Sequence, residues 1–147
     1  MQKVILGADH AAYEAKEKLK NFLIHKKYEV IDVGTYSADR ADYPLYVKKN
    51  IQEVKKYHAF GILLCGSGIG VSMAANKYKG IRAALCRTPL DAEYAKKHNN
   101  ANVLCLGARF NSDDEIIKIV ESFFHHQFEG GRHQDRVQMF QDLGENP

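Results

Sequence analysis

The chain has 147 residues and a formal charge of +3, from 21 Lys and Arg against 18 Asp and Glu, with 45% apolar and 27% charged side chains. That make-up excludes a disordered or fibrous chain, and a chain of this length buries roughly 70% of its unfolded surface, enough for one core and one domain over residues 1–147. No Lys/Arg block points to nucleic acid, no apolar run reaches the ~20 residues of a membrane span, and Asp9 comes too early for a secretory leader.

Lys3–Gly7 is a short β-branched run closed by glycine and reads as a buried strand. Ala15, Leu19, Phe22 and Leu23 then recur at helical spacing, with charged residues off that face. Val30–Val33 reads as a second strand, and Thr35–Asp42 as a polar loop. Pro44 opens a helix that carries Val47, Ile51 and Val54 on one side. Phe60–Cys65 has the apolar continuity of a strand covered on both faces. The glycine loop Gly66-Ser67-Gly68-Ile69-Gly70 feeds a helix through about Lys77, and Ile81–Cys86 is a fourth strand. Thr88-Pro89 is a cap and first turn for a helix to about Lys97. Val103–Leu106 is the fifth strand. Ser112 and Glu115 form a capping box before an apolar helix, and Gly130-Gly131 separates that helix from a last short one with Val137 and Phe140.

Five strands separated by helices predict an α/β fold, a three-layer αβα sandwich around a five-stranded parallel sheet, plus a C-terminal helix. The order expected at this size is the flavodoxin-like 2-1-3-4-5, with ligands at the carboxyl ends of the strands where strands 1 and 3 meet. Asp9-His10-Ala11-Ala12 follows strand 1, and Cys65 with its glycine loop follows strand 3. Together they offer a carboxylate, an imidazole, a thiol and free backbone N–H groups at a helix start, a setting for an anion or an oxyanionic intermediate and one that favours a thiolate.

Each feature also has a structural reading. Asp9 is a good helix cap, and a strand-end cysteine is often only a small hydrophobe, which suits Cys86 and Cys105. Gly66, Gly68 and Gly70 follow G-x-G-x-G, not the dinucleotide G-x-G-x-x-G, and no Gly-Lys-Ser/Thr follows. Arg132 and Arg136 share one helix face and suit a phosphate clamp or a solvated basic face. His25, His58, His125 and His126 read as surface residues. The odd, wide spacing of the three cysteines fits a reducing cytoplasm and lacks zinc-site pairs.

Leu64 to Lys77, Gly7 to Ala12, Asp42-Tyr43-Pro44, His98-Asn99 with Ala101 to Leu104, and Gly130-Gly131-Arg132-His133 before Arg136 strongly resemble the type B ribose-5-phosphate isomerases. The matches run in family order over nearly the whole chain. The wider family includes galactose-6-phosphate isomerase subunits and enzymes acting on allose 6-phosphate. One branch uses a glutamate just after the loop, where this chain has Val71, so the resemblance points to Cys65 as base. It implies interconversion of ribose 5-phosphate and ribulose 5-phosphate, with His98 as ring-opening acid and Asp9 at the anomeric hydroxyl. Ser67 would assist proton movement, and the backbone of Gly66, Ser67, Gly68, Ile69 and Gly70 would hold the enediolate. Asn99 would bind sugar hydroxyls, and His10, Arg109, Arg132 and Arg136 the phosphate, with Tyr43 and His133 as further contacts. No metal or organic cofactor is implied. The alternatives are a six-carbon sugar phosphate as substrate, or a non-catalytic nucleotide- or flavin-binding module on the same fold.

Topology adds an expectation about assembly. His98 and Asn99 precede strand 5 and belong at the amino edge of the sheet, whereas Asp9, His10 and Cys65 belong at the carboxyl edge. A strand spans ~17 Å, too far for one side chain to cross. Acid and base then serve one substrate only across a homodimer with shared active sites, alone or paired into a tetramer.

Overall fold

The computed structural model describes residues 1–147. The strands are β1 (Lys3–Ala8), β2 (Glu29–Asp32), β3 (Phe60–Cys65), β4 (Ala83–Leu85) and β5 (Val103–Gly107). The helices are α1 (Tyr13–His25), α2 (Tyr43–Tyr57), α3 (Ile69–Ala75), α4 (Pro89–Lys97), α5 (Asp113–His125) and α6 (Arg132–Gln138), and a 3-10 turn, His10–Ala12, precedes α1. No helix is long and apolar enough to cross a membrane. The expected caps form: Thr88 with Asp91 and Ser112 with Glu115 are both reciprocal capping boxes.

All strand pairs are parallel, but the sheet order is β2-β1-β3-β5-β4. The expected order 2-1-3-4-5 is therefore corrected: the last two strands are exchanged. Burial explains the exchange. Every residue of β5 is buried, whereas all three of β4 are half-buried, so the apolar strand takes the inner slot and the short one takes the edge. β4 is also shorter than the expected Ile81–Cys86, because side chains take over its backbone bonds. Asn76 accepts from the Ala83 N–H (2.8 Å) and donates to its carbonyl (2.9 Å), and Asn102 accepts from the Arg82 N–H (2.8 Å).

Right-handed crossovers then assign the faces. The steps β1→β2 and β4→β5 run toward the β2 edge, while β2→β3 and β3→β4 run the other way. α1 and α4 therefore share one face, joined by α5, around Val4, Leu6, Leu64, Leu104, Leu106 and Phe123. The helices α2 and α3 cover the other face, around Ile5, Val47, Ile51, Leu63, Val71 and Val103. With the expected order, α4 would have lain beside α2 and α3.

One buried cation ties α4 to α5. Lys96 is 5% exposed, its Nζ donates to the Phe123 carbonyl at 3.0 Å, and it lies 4.1 Å and 4.2 Å from the ring centres of Phe60 and Phe123. Burial pushes its ammonium down to about 8, against an ordinary value of about 10.4. Below the lower value both folded and unfolded chains hold the proton. Between the two values the unfolded chain binds more, so this lysine makes stability rise with pH there. Denaturant unfolding at pH 7.5 and pH 10 should show native protein gaining about 1–2 kcal/mol relative to Lys96→Met over that interval. An equal response in both proteins would mean that the two rings and the carbonyl hold the charge as well as water does.

Candidate active site

The chemistry-bearing side chains gather at the carboxyl ends of β1, β3 and β5. They line a cavity of about 350 Å³ that includes Asp9, His10, Tyr43, Cys65, Ser67 and Arg109. Strand order puts them there. The connections leave β1 and β3 toward opposite edges of the sheet, which opens a crevice between these two strands, and the placement of β5 beside β3 brings Arg109 to its rim. The Arg109 N–H donates to the Gly66 carbonyl at 2.9 Å, and its guanidinium packs where a side chain at Gly66 would stand.

The glycine loop folds tightly around the thiol. Cys65 is 5% exposed, and the Gly68 N–H donates to its Sγ at 3.1 Å. Gly68 has φ +76°, and a Cβ there would stand 2.7 Å from the Leu106 backbone, so only glycine fits. Gly107, opposite Cys65 in the register, must also be glycine, because a Cβ would meet the Ser67 carbonyl at 2.4 Å. The Ile69 N–H donates to Ser67 Oγ at 3.1 Å, while the Gly66, Ser67 and Gly70 N–H groups make no backbone bond. Gly68 and Ile69 therefore spend their amides within the loop and do not form the row of free donors expected from sequence. Val71 is 1% exposed and belongs to the core.

Asp9 caps the turn, as one of its sequence readings has it, and stands at the cavity. One carboxylate oxygen caps the 3-10 turn by accepting from the Ala11 N–H (3.1 Å), and the side chain also borders the cavity. His10 Nδ1 lies in hydrogen-bond contact with the backbone of Ala41, 3.1 Å from its N–H and 3.2 Å from its carbonyl. The same bond ties the loop before α2 to the cavity. Tyr43, at the start of α2, lies against Gly70, which a Cβ would bring within 2.7 Å of its ring.

A second cluster forms elsewhere. His98 caps the C-terminus of α4, its Nε2 3.2 Å from Glu129 Oε1, and its ring stacks on His133 at 4.3 Å. Burial pushes the His133 imidazole down, and the charges of His98, Arg132 and Arg136 add to this. Arg132 and Arg136 are exposed on α6. Asn99 borders a larger cleft of about 1020 Å³ between Asn76, Arg82, Ala95 and Phe140. That cleft holds no thiol or carboxylate–imidazole pair, and the smaller cavity holds both. Within one chain His98, Asn99, Arg132 and Arg136 do not line the Cys65 cavity.

His98, Glu129 and His133 offer donor atoms within 4.8 Å of one another, the closest approach to a metal set in the chain. Zinc bonds of ~2.0–2.2 Å would require the stacked rings to turn apart, beside two arginines. Sequence reasoning passed over three neighbours of these clusters. Glu129 is one; Arg87, stacked 4.0 Å over Phe110, and Phe110 itself are the others. The acid just before Gly130-Gly131-Arg132-His133 was the available signal for the first.

A family model described as Ribose/Galactose Isomerase matches residues 4–140. Ribose-5-phosphate isomerase B of Escherichia coli K12 is 41% identical over 139 residues, covering 94% of this chain and 93% of that one. Among solved structures, a ribose 5-phosphate isomerase from Thermotoga maritima superposes with a TM-score of 0.93 at 49% identity, covering 95% of this chain and 97% of that one. Ribose-5-phosphate isomerase B of Mycoplasma genitalium with bound ribulose-5-phosphate gives 0.89 at 43% identity, over 93% and 92%.

The three thiols should differ sharply in reactivity. Burial pushes Cys86 up to about 12 and Cys105 well above its ordinary value, so both stay protonated near pH 8. Iodoacetamide at that pH, followed by peptide mass mapping, should label Cys65 first and the other two only on unfolding. Labelling of Cys86 or Cys105 at the rate of Cys65 would refute this.

Proposed function

The chain belongs to the ribose/galactose isomerase family, and we propose that it is an aldose–ketose isomerase interconverting ribose 5-phosphate and ribulose 5-phosphate, with residues 1–147 as one catalytic unit in the cytoplasm. The observation that carries this reading is the cavity in which the Cys65 thiol, its glycine loop, Asp9 and His10 meet. Relatives so similar over nearly their whole length bear that activity in their names.

The reaction moves a carbonyl from C1 to C2 through ring opening, loss of the C2 proton and its return at C1. Cys65 as thiolate takes and returns that proton, and the Gly68 N–H holds negative charge on sulfur. The enediolate oxygens lie against the free Ser67 and Gly70 amides, with Ser67 Oγ moving a proton between them. Asp9 accepts the anomeric hydroxyl proton, and His98 protonates the ring oxygen. His10 and Arg109 hold the phosphate with Arg132 and Arg136, while Asn99 binds sugar hydroxyls.

Register argues for two copies. Val103 pairs with Gly61, four residues before Cys65, which is ~13 Å along the strand, and His98 lies five residues before Val103. A second copy supplies His98, Asn99 and the arginines to each cavity, making a twofold dimer with two shared sites. Exposed apolar residues on the helices that flank the β4 edge, Ile69 and Met73 of α3 with Leu90 and Tyr94 of α4, support such a contact.

Cys65→Ala and His98→Ala should each lose about 10²-fold or more in turnover, the usual worth of a positioned acid or base. Mixed, unfolded and refolded together, they form half mixed dimers, each with one intact site, so roughly a quarter of native activity should return. A mixture as inactive as its parents, with mixed dimers proven, would refute the shared site. Arg132→Ala and Arg136→Ala should each raise KM about tenfold to hundredfold, as a lost charge-assisted hydrogen bond of about 1.5–3 kcal/mol requires. Unchanged KM in both would return the pair to a solvated basic face.

A further inference from the structure

The His98 ring is held on three sides. Its faces lie against Tyr94, at 4.8 Å and 33°, and against His133, at 4.3 Å and 12°. Its Nε2 meets Glu129 Oε1 at 3.2 Å. Stacking fixes the plane of an imidazole but not which edge points outward, since a half-turn about the broad terminal torsion leaves both stacks intact. Only the 3.2 Å contact with Glu129 distinguishes the two orientations. The carboxylate is itself placed by the backbone. The Glu129 N–H donates to the Lys97 carbonyl at 3.0 Å, in the last turn of α4, and Gly130 and Gly131, at φ +72° and +59°, return the chain into α6. His98 is the sole ion-pair partner of Glu129, since Lys97 pairs with Glu93 at 3.1 Å.

Resting on the isomerase reading above, we propose that Glu129 is the positioning residue of the ring-opening acid: it holds His98 by Nε2–H, so that Nδ1–H faces the sugar ring oxygen. In the step itself the C1–O bond of the ring breaks and its electron pair goes to the ring oxygen, which takes the Nδ1 proton. The C1 hydroxyl becomes the carbonyl and gives its proton to Asp9. His98 is left neutral with its Nε2–H still on Glu129. Besides Glu129, the charged groups about the ring are Glu93 of α4 and the stacked His133, with Lys97 beside both carboxylates and Arg132 and Arg136 acting on His133. Glu129 is the carboxylate in direct contact with the ring. As a half-exposed pair, His98 and Glu129 contribute little to stability, so their value lies in orientation.

Ring opening can be separated from proton transfer. Ribulose 5-phosphate has its C5 oxygen phosphorylated and stays open-chain, so exchange of its C1 hydrogen with solvent deuterium needs Cys65 and the loop but no ring-opening acid. Native protein, Glu129→Gln, Glu129→Asp and His98→Ala should be compared for ribose 5-phosphate turnover and for C1 deuterium incorporation by NMR. Glu129→Gln should lose about tenfold or more in kcat with KM changed by less than about twofold, and keep exchange within about twofold, with His98→Ala showing the same split more strongly. Glu129→Asp should recover part of the loss. Unchanged turnover in Glu129→Gln, or an equal fall in turnover and exchange, would overturn the positioning role. Native protein inactive in both assays would overturn the isomerase reading itself.

Discussion

The return of the chain from β4 into the slot beside β3 is the constraint on which the rest of the structure depends. A parallel neighbour reached from the outside must come back by a right-handed crossover, and that crossover places α4 on the α1 face. It also sets the end of β5 against the end of β3, residue for residue, with Gly107 opposite Cys65. Because Gly107 has no side chain, the Ser67 peptide can fold over it, and that fold turns the Gly68 N–H onto the thiol. A sheet ordered 2-1-3-4-5 would have left β4 in this slot and carried Arg109 one strand away from the loop it now buttresses.

The same crossover explains why the catalytic groups fall into two clusters. α4 runs from the carboxyl edge back to the amino edge, so whatever stands at its C-terminus is carried away from the cavity. His98 stands there, with Lys96 just before it anchored to the Phe123 carbonyl and the rings of Phe60 and Phe123. The tail that follows α5 clips onto the same helix end through Glu129 and Lys97. Each cluster is internally well bonded, and each lacks what the other has: one holds thiol and oxyanion donors, the other imidazole and guanidinium groups. In the proposed dimer, two copies related by a twofold axis complete both at once, which a rearrangement within one chain could do only by breaking α4 from the sheet.

Much of this was legible in the sequence because it was local. The caps at Thr88 and Ser112, the apolar run of β3 and the glycine loop are set by neighbours a few residues apart, and they form as read. Strand order is not local. Ile81–Cys86 and Val103–Leu106 look alike as apolar runs, and only the half-burial of Ala83, Ala84 and Leu85 shows which one lies at the edge. The loop amides misled for a related reason: a glycine run says that the backbone can turn, not which N–H groups the turn consumes. Glu129 escaped notice because an acid before a glycine pair is ordinary, and its meaning depends on His98, 31 residues earlier, lying beside it.

The three cysteines show how the fold, and not residue type, decides chemistry. Cys65 and Cys105 belong to the same core beneath α2 and α3. Cys105 stands opposite Leu63, two residues before Cys65 along the sheet, a step of ~7 Å. At that depth burial pushes the thiol up, and the neighbouring Cys86 and Cys65 thiols add to it. One repeat further along, at the end of β3, the strand gives way to a turn and the sulfur receives an N–H. Cys86 follows β4 at the sheet edge, on the opposite face, where burial and the charge of Asp91 hold it protonated. A thiol can act as base here only where a strand ends, because only there does the backbone have amides left to give.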